Sequence, residues 1–252
     1  MVKRKTYTFR RGQIMEVEEY HDGRYGAPGS NRTRRTKTTP EQMQMVNQIN
    51  KAKRCRHKLL EYFNQGDTFA TLTYQPANRP SDMKAAVKDF QKTIRKIQRE
   101  YRKRGRPLYW IRNIEQGTKG AWHIHLVVNE IGDTASILKS AWDKGGTYTV
   151  EIRLNDKLYD EDFTKLANYM TKDNKTIYKK ADGQTGKPRL REASYSTSRN
   201  MPLKDSKVRK LISWQRKVKP KKGYAIVRVY EGINPITGYS YRRYTMIRFR
   251  RD

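Results

Sequence analysis

Residues 83 to 101 constrain the fold most. After a Ser81-Asp82 cap, Met83, Ala86, Val87, Phe90, Ile94, Ile97 and Tyr101 recur at helical spacing and form one apolar stripe. The opposite side carries Lys84, Lys88, Lys92, Arg95, Lys96 and Arg99 and reads as solvated. A helix this one-sided must bury its stripe against another layer, and the neighbouring runs supply a sheet. Thr68 to Tyr74 is rich in β-formers and ends at Gln75-Pro76, a strand over 108 to 115 follows the Gly105-Arg106-Pro107 break, and Thr147 to Leu154 alternates. Short helices are predicted over Thr134 to Trp142 and from Asp160 to about Lys172. The order strand, helix, two-stranded hairpin, helix, strand, helix suits an α+β fold: a ferredoxin-like antiparallel sheet with helices on one face.

The hairpin carries the first chemistry. In Trp122-His123-Ile124-His125-Leu126, residues i and i+2 share a face, so His123 and His125 project together while Ile124 and Leu126 enter a core. Ile111 to Glu115 reads as the adjoining strand, joined through Gln116-Gly117-Thr118-Lys119-Gly120, which brings Glu115 beside the two histidines. Two imidazoles and one carboxylate suit Mn²⁺ or Mg²⁺ with open positions better than a closed structural zinc site. A register slip of one residue would present Gln116 instead of Glu115.

Composition names the class of partner. With 56 Lys plus Arg against 25 Asp plus Glu, the formal net charge is +31. A charge of this size implies a polyanion, nucleic acid first. Seventeen Tyr fit a surface that adds base stacking to phosphate contacts. The single cysteine, Cys55, excludes a disulfide framework and a cysteine-rich zinc site, and no run approaches the length of a membrane span. A soluble protein of a reducing cytoplasm, with no membrane partner, is expected.

Three regions follow. Residues 1 to 65 read as a basic N-terminal arm and helix: a short hairpin from Thr6 to Tyr20, a polar stretch containing Arg32, Arg34, Arg35 and Lys37, and a helix opened by Thr39-Pro40-Glu41. Residues 66 to 175 form the catalytic domain. Residues 176 to 252 form a basic C-terminal extension packing on it, with a helix near 204 to 217 and a closing hairpin from Tyr224 to Arg250. No second core large enough for an independent domain is expected. Arg32, Arg34, Arg35, Lys37, Arg112 and Arg199 are the candidate DNA contacts.

The helix after the last core strand carries the second chemistry. Phe163, Leu166 and Met170 make its buried stripe, while Tyr169 and Lys172, three apart, are neighbours. A free phenol has a pKa of about 10, and a nearby ammonium favours the phenolate that a tyrosine nucleophile requires.

With these parts in place, the chain resembles the single-tyrosine HUH endonucleases that initiate rolling-circle replication of small phages and Gram-positive plasmids. The strand Thr71-Leu72-Thr73-Tyr74, the His123-Ile124-His125 strand and Tyr169-Met170-Thr171-Lys172 correspond in order and spacing to that family's motifs. The resemblance implies the HUH endonuclease fold and a metal held by His123, His125 and Glu115. It implies that Tyr169 attacks the scissile phosphate with Lys172 stabilising charge, leaving a 5′-phosphotyrosine and a free 3′-OH, and that the strand is later rejoined. The implied partners are single-stranded or hairpin origin DNA and, in a bacterial host cytoplasm, a polymerase and a helicase. A relaxase or single-tyrosine transposase uses the same parts; many relaxases carry a third histidine, and Leu126-Val127 after His125 offers none. Outside these enzymes, the alternative is a non-catalytic basic DNA-binding protein.

Overall fold

The computed structural model describes residues 2–21, 39–117, 120–153, 162–172, 178–179, 185–186, 194–233 and 239–249. In chain order the elements are β1 (Val2–Phe9), β2 (Ile14–His21), α1 (Pro40–Tyr62), β3 (Thr68–Thr73), α2 (Met83–Lys103), β4 (Trp110–Gln116), β5 (Trp122–Val128), α3 (Thr134–Ala141), β6 (Thr147–Glu151), α4 (Thr164–Thr171), β7 (Tyr178–Lys179), β8 (Thr185–Gly186), β9 (Tyr195–Thr197), β10 (Lys207–Leu211), β11 (Tyr224–Ile233) and β12 (Ser240–Arg248). They divide into two compact units, Gln48–Pro202 and the two chain ends, Met1–Asn47 with Leu203–Asp252. Among the described residues no helix is long and apolar enough to cross a membrane.

The unit 48–202 is the expected α+β sandwich. Its antiparallel sheet runs β6-β3-β5-β4-β9. One face is apolar because alternate residues of each strand are: Ala70, Leu72, Ile114, Ile124 and Leu126 are fully buried and meet Met83, Val87, Phe90, Ile97 and Tyr101 of α2 and Ile137 and Leu138 of α3. The expected stripe of α2 is therefore the inner layer of this core, and Asp82 caps it by accepting from the Ala85 N–H at 2.7 Å. The other face is covered by α1 and α4. Lys58 of α1 donates to Thr197 Oγ1, Gln48 donates to the Thr171 carbonyl at 2.7 Å, and Cys55 is buried against Tyr195, where loss of water pushes its thiol up to about 12 and leaves it inert.

The chain ends differ from expectation. Instead of an arm and an extension laid on one domain, they form a second antiparallel sheet, β10-β1-β2-β12-β11, with Met15, Val17, Tyr224, Tyr244 and Met246 as its own core. Each hairpin alone is too small to hold a core, and joining them closes a sheet from segments about 200 residues apart. The joint is charged: Arg242 faces Glu19 in register and donates to its Oε2 at 2.5 Å, both residues are nearly fully buried, and Arg4 donates to Oε1 of the same carboxylate. The helix expected near 204 to 217 is instead strand β10, whose Leu211 pairs with Val2 and whose Lys207 pairs with Thr6. Its exposed Lys and Arg suit an edge strand, where charge opposes pairing with another chain. Arg32, Arg34, Arg35 and Lys37 lie outside the described residues.

A glycine fixes the edge of the first sheet. The chain between α3 and β6 crosses β3 so closely that a Cβ on Gly145 would sit 2.1 Å from the Thr73 carbonyl oxygen and 2.8 Å from the Gln75 nitrogen. Both are backbone atoms and cannot step aside as a side chain would. Gly145→Ala should lower stability against urea by about 2 kcal/mol or more, the upper end of ordinary overpacking, read from the unfolding midpoint at unchanged m-value.

Candidate active site

The apolar inner face of the sheet requires a polar outer one, and the ladder register decides which residues share it. Glu115 pairs with His123 and Asn113 with His125 across β4 and β5, while Thr71 pairs with His125 and Thr73 with His123 across β3 and β5. Period-two alternation therefore sets Phe69, Thr71, Thr73, Asn113, Glu115, His123 and His125 on one surface. Gln116 pairs with Trp122 instead, and Trp122 belongs to the core on the opposite side. Of the two candidate neighbours of the histidines, the register selects Glu115.

Helix α4 lies over this surface. Leu166, Ala167 and Met170 are buried beneath it, as the expected stripe requires, and the half-exposed Tyr169 turns toward the histidines. Its hydroxyl is 3.0 Å from His125 Nε2 and 3.5 Å from Nδ1. The ring meets His125 edge-on at 5.1 Å and Phe69 edge-on at 6.0 Å, and Phe69 itself stacks on His125 at 5.9 Å. Three aromatic rings thus restrict one another. The helix ends at Lys172, whose ammonium stands 4.4 Å from the centre of the Tyr169 ring and 2.7 Å from Glu115 Oε2.

Glu115 is the hub. One carboxylate oxygen takes the Lys172 charge, and the other lies 2.6 Å from His125 Nε2. Partial burial pushes the Glu115 carboxyl up, but hydrogen bonds from Lys172 and His125 and the lysine charge outweigh it and hold the group below its ordinary value, so it is ionised. Burial moves His125 the other way, and despite the carboxylate beside it the imidazole is less basic than usual and neutral at physiological pH. The far nitrogen, Nδ1, is 3.1 Å from the Thr71 hydroxyl. A hydroxyl both donates and accepts, so Thr71 holds the ring in either tautomer and leaves Nε2 facing Glu115 and Tyr169. His123 lies beside His125 with ring centres 6.4 Å apart and is half-exposed.

The remaining expected residues divide. Leu72 is a fully buried core residue, and Thr73 bonds the loop backbone at Gly146. Arg112 points to the opposite side of the sheet: it is 5% exposed, lies over the Phe90 ring at 5.0 Å and donates to the Ser194 carbonyl at 2.9 Å, and burial pulls its pKa down to about 10. Its role there is in the core. Arg199 is exposed, beyond the end of β9 that lies against Trp110, at the other end of β4 from Glu115. Phe69 and Asn113 belong to the site surface although no motif marked them; their signal was spacing, two residues from Thr71 and from Glu115 on the same faces.

Among the described residues no group of three or more His, Cys, Asp or Glu side chains is assembled as a metal-ion cluster. The donors His123, His125 and Glu115 nonetheless suit a hard divalent ion in chemistry, sharing one face with an ionised carboxylate and a neutral imidazole. In this arrangement Glu115 is engaged by Lys172 and His125, and it would exchange those bonds to reach an ion.

A search of curated proteins and of solved structures finds no match. A family model does match: residues 67–174, the stretch that holds β3, both histidines, Glu115, Tyr169 and Lys172, are similar to the replication-associated protein family of the ORF2 type, and the similarity supports a role as a replication initiator.

Proposed function

We propose that the chain starts replication by nicking single-stranded origin DNA with Tyr169 as the nucleophile, as the single-tyrosine HUH endonucleases do. One observation carries the reading: the Tyr169 hydroxyl sits 3.0 Å from His125 Nε2 over the polar sheet face, with the Lys172 ammonium against its ring. A structural tyrosine would not need a cation, a carboxylate and an imidazole gathered around an accessible phenol. The similarity of residues 67–174 to a replication-associated family favours this role over mobilisation or transposition.

In the proposed reaction the Tyr169 oxygen attacks the phosphorus in line with the departing 3′ oxygen. The O–P bond to tyrosine forms as the P–O3′ bond breaks, the phenol proton passes to solvent, and the 3′ oxygen takes up a proton. The products are a 5′-phosphotyrosyl protein and a 3′-OH that a host polymerase can extend. Lys172 favours the phenolate and stabilises negative charge gathering on the phosphate. Phe69 and the His125 ring hold the tyrosine on the sheet side, which lowers the entropic cost of attack. His123, His125 and Glu115 would hold Mn²⁺ or Mg²⁺, which when bound supplies charge neutralisation at the phosphate. In reverse, a 3′-OH attacks the phosphotyrosine and rejoins a strand with no nucleotide cofactor, since the covalent link conserves the bond energy.

Incubation with a single-stranded origin oligonucleotide and Mn²⁺ should give a protein band retarded on a denaturing gel. Tyr169→Phe should abolish that band while leaving oligonucleotide binding within about twofold, because the hydroxyl is a small part of a phosphate-dominated interface; a wild-type yield of adduct in this variant would exclude Tyr169. Replacing His123 and His125 together with Ala should slow Mn²⁺-dependent nicking by on the order of 10²-fold or more, the usual loss when charge stabilisation of a transition state is removed. Full-rate nicking by the double variant would remove the histidines from the mechanism.

A further inference from the structure

The outer face of α2 is set apart by its charge. Lys84, Lys88, Lys92, Arg95, Arg99 and Arg102 are all exposed and follow one another every three or four residues, so they form a single row along the helix. Lys84 to Arg102 spans roughly 27 Å at the rise of an α-helix. None of the six has an ion-pair partner among the described residues. The nearby carboxylates are taken by other cations: Glu100 by Lys103 and Arg104, Asp133 by Arg104, Asp143 by Lys96. Like charges one turn apart repel, and a row of six with no internal compensation calls for an external polyanion. Between them, Lys92, Arg95, Lys96, Gln98, Arg99 and Arg102 line a shallow open depression.

The face also selects among polyanions. Its exposed residues are Lys, Arg and Gln; no aromatic side chain stands among them, because Phe90 and Tyr101 both point into the core. Single strands are held by bases stacked on aromatic rings, and this row offers none. A straight, rigid line of point charges instead matches the regular phosphates of a duplex backbone, read without base contacts. The row is on the side of the sheet away from Tyr169, since α2 packs on the apolar face and Tyr169 on the polar one. Duplex DNA there would not compete with a strand at the tyrosine.

We infer that the exposed face of α2 binds the phosphate backbone of double-stranded DNA, as a site separate from the tyrosine centre. It deepens the proposed origin-nicking role, since an origin presents duplex beside the strand to be cut, but it rests on α2 alone.

The test uses the full chain with Lys88, Lys92, Arg95 and Arg99 all changed to Gln, which keeps helix-forming residues. Fluorescence anisotropy with a 20-base-pair duplex over a range of salt should show affinity at least about tenfold weaker than wild type and a log-log salt slope shallower by about two to four, near 0.9 for each phosphate no longer neutralised. Binding of a 20-nucleotide oligo-dT should change less than threefold. An unchanged duplex slope overturns the inference, and so does an equal loss on oligo-dT, which would mean a general charge effect. Circular dichroism of the variant guards against misfolding, and single substitutions Lys92→Gln and Arg95→Gln should each reduce the slope by about one. Tyr169→Phe should bind the duplex like wild type. If the covalent adduct never forms with any protein while the duplex results hold, the tyrosine reading fails and this one stands.

Discussion

The Glu115 carboxylate is the point on which the rest of the site depends. It belongs to the sheet by its register with His123, to α4 by its contact with Lys172, and to the imidazole pair by its bond to His125. Without it, Lys172 would have no reason to fold back over Tyr169, and the C-terminal end of α4 would lose its tie to β4. The geometry is built from short-range parts: alternation turns the polar residues of three strands outward, and one helical turn separates Tyr169 from Lys172. A partly exposed ion pair contributes little stability by itself. Its consequence here is positional, because it fixes which way the last turn of the helix faces.

Much of this was legible in the sequence, and the physical reason is the same each time. Where structure follows from local period, the sequence announced it: the α2 stripe, the His-x-His face and the Tyr169–Lys172 spacing all came out as read, because three or four residues suffice to specify them. The choice of Glu115 over Gln116 was not local. It turned on hairpin register, which a slip of one residue would invert, and the ladder pairing Glu115 with His123 resolved it. Arg112 was misplaced for a related reason. It alternates with Asn113 in a strand whose two faces are both covered, so a charged residue that reads as a surface group lies over Phe90 in the core.

The second sheet was illegible for a different reason. Its strands come from both ends of the chain, so no window of sequence contains the partner that joins β2 to β12, and a hydrophobic count over either end alone falls short of a core. Its buried charges misled further, since Glu16, Glu19 and Arg242 look like surface residues. Arg242 and Glu19 are tolerated inside because they face one another in register, and Arg242 also covers the Trp214 ring at 4.6 Å. The same pairing specifies how the two hairpins align: a slip of one residue would leave both charges buried against apolar neighbours.

The excess positive charge is thereby distributed with a division of labour. On the polar face of the first sheet the lysine nearest the chemistry is neutralised in place, Lys172 by Glu115, so its charge is held at one point beside the phenol. On the outer face of α2 the opposite rule holds, and six cations stand in a row with no carboxylate among them. The sheet between them is what keeps these two surfaces distinct. A protein that only needed to adhere to DNA would gain from spreading uncompensated charge over every face, whereas this one confines a compensated cation to the tyrosine and leaves the uncompensated ones behind a layer of Leu72, Ile114, Ile124 and Leu126.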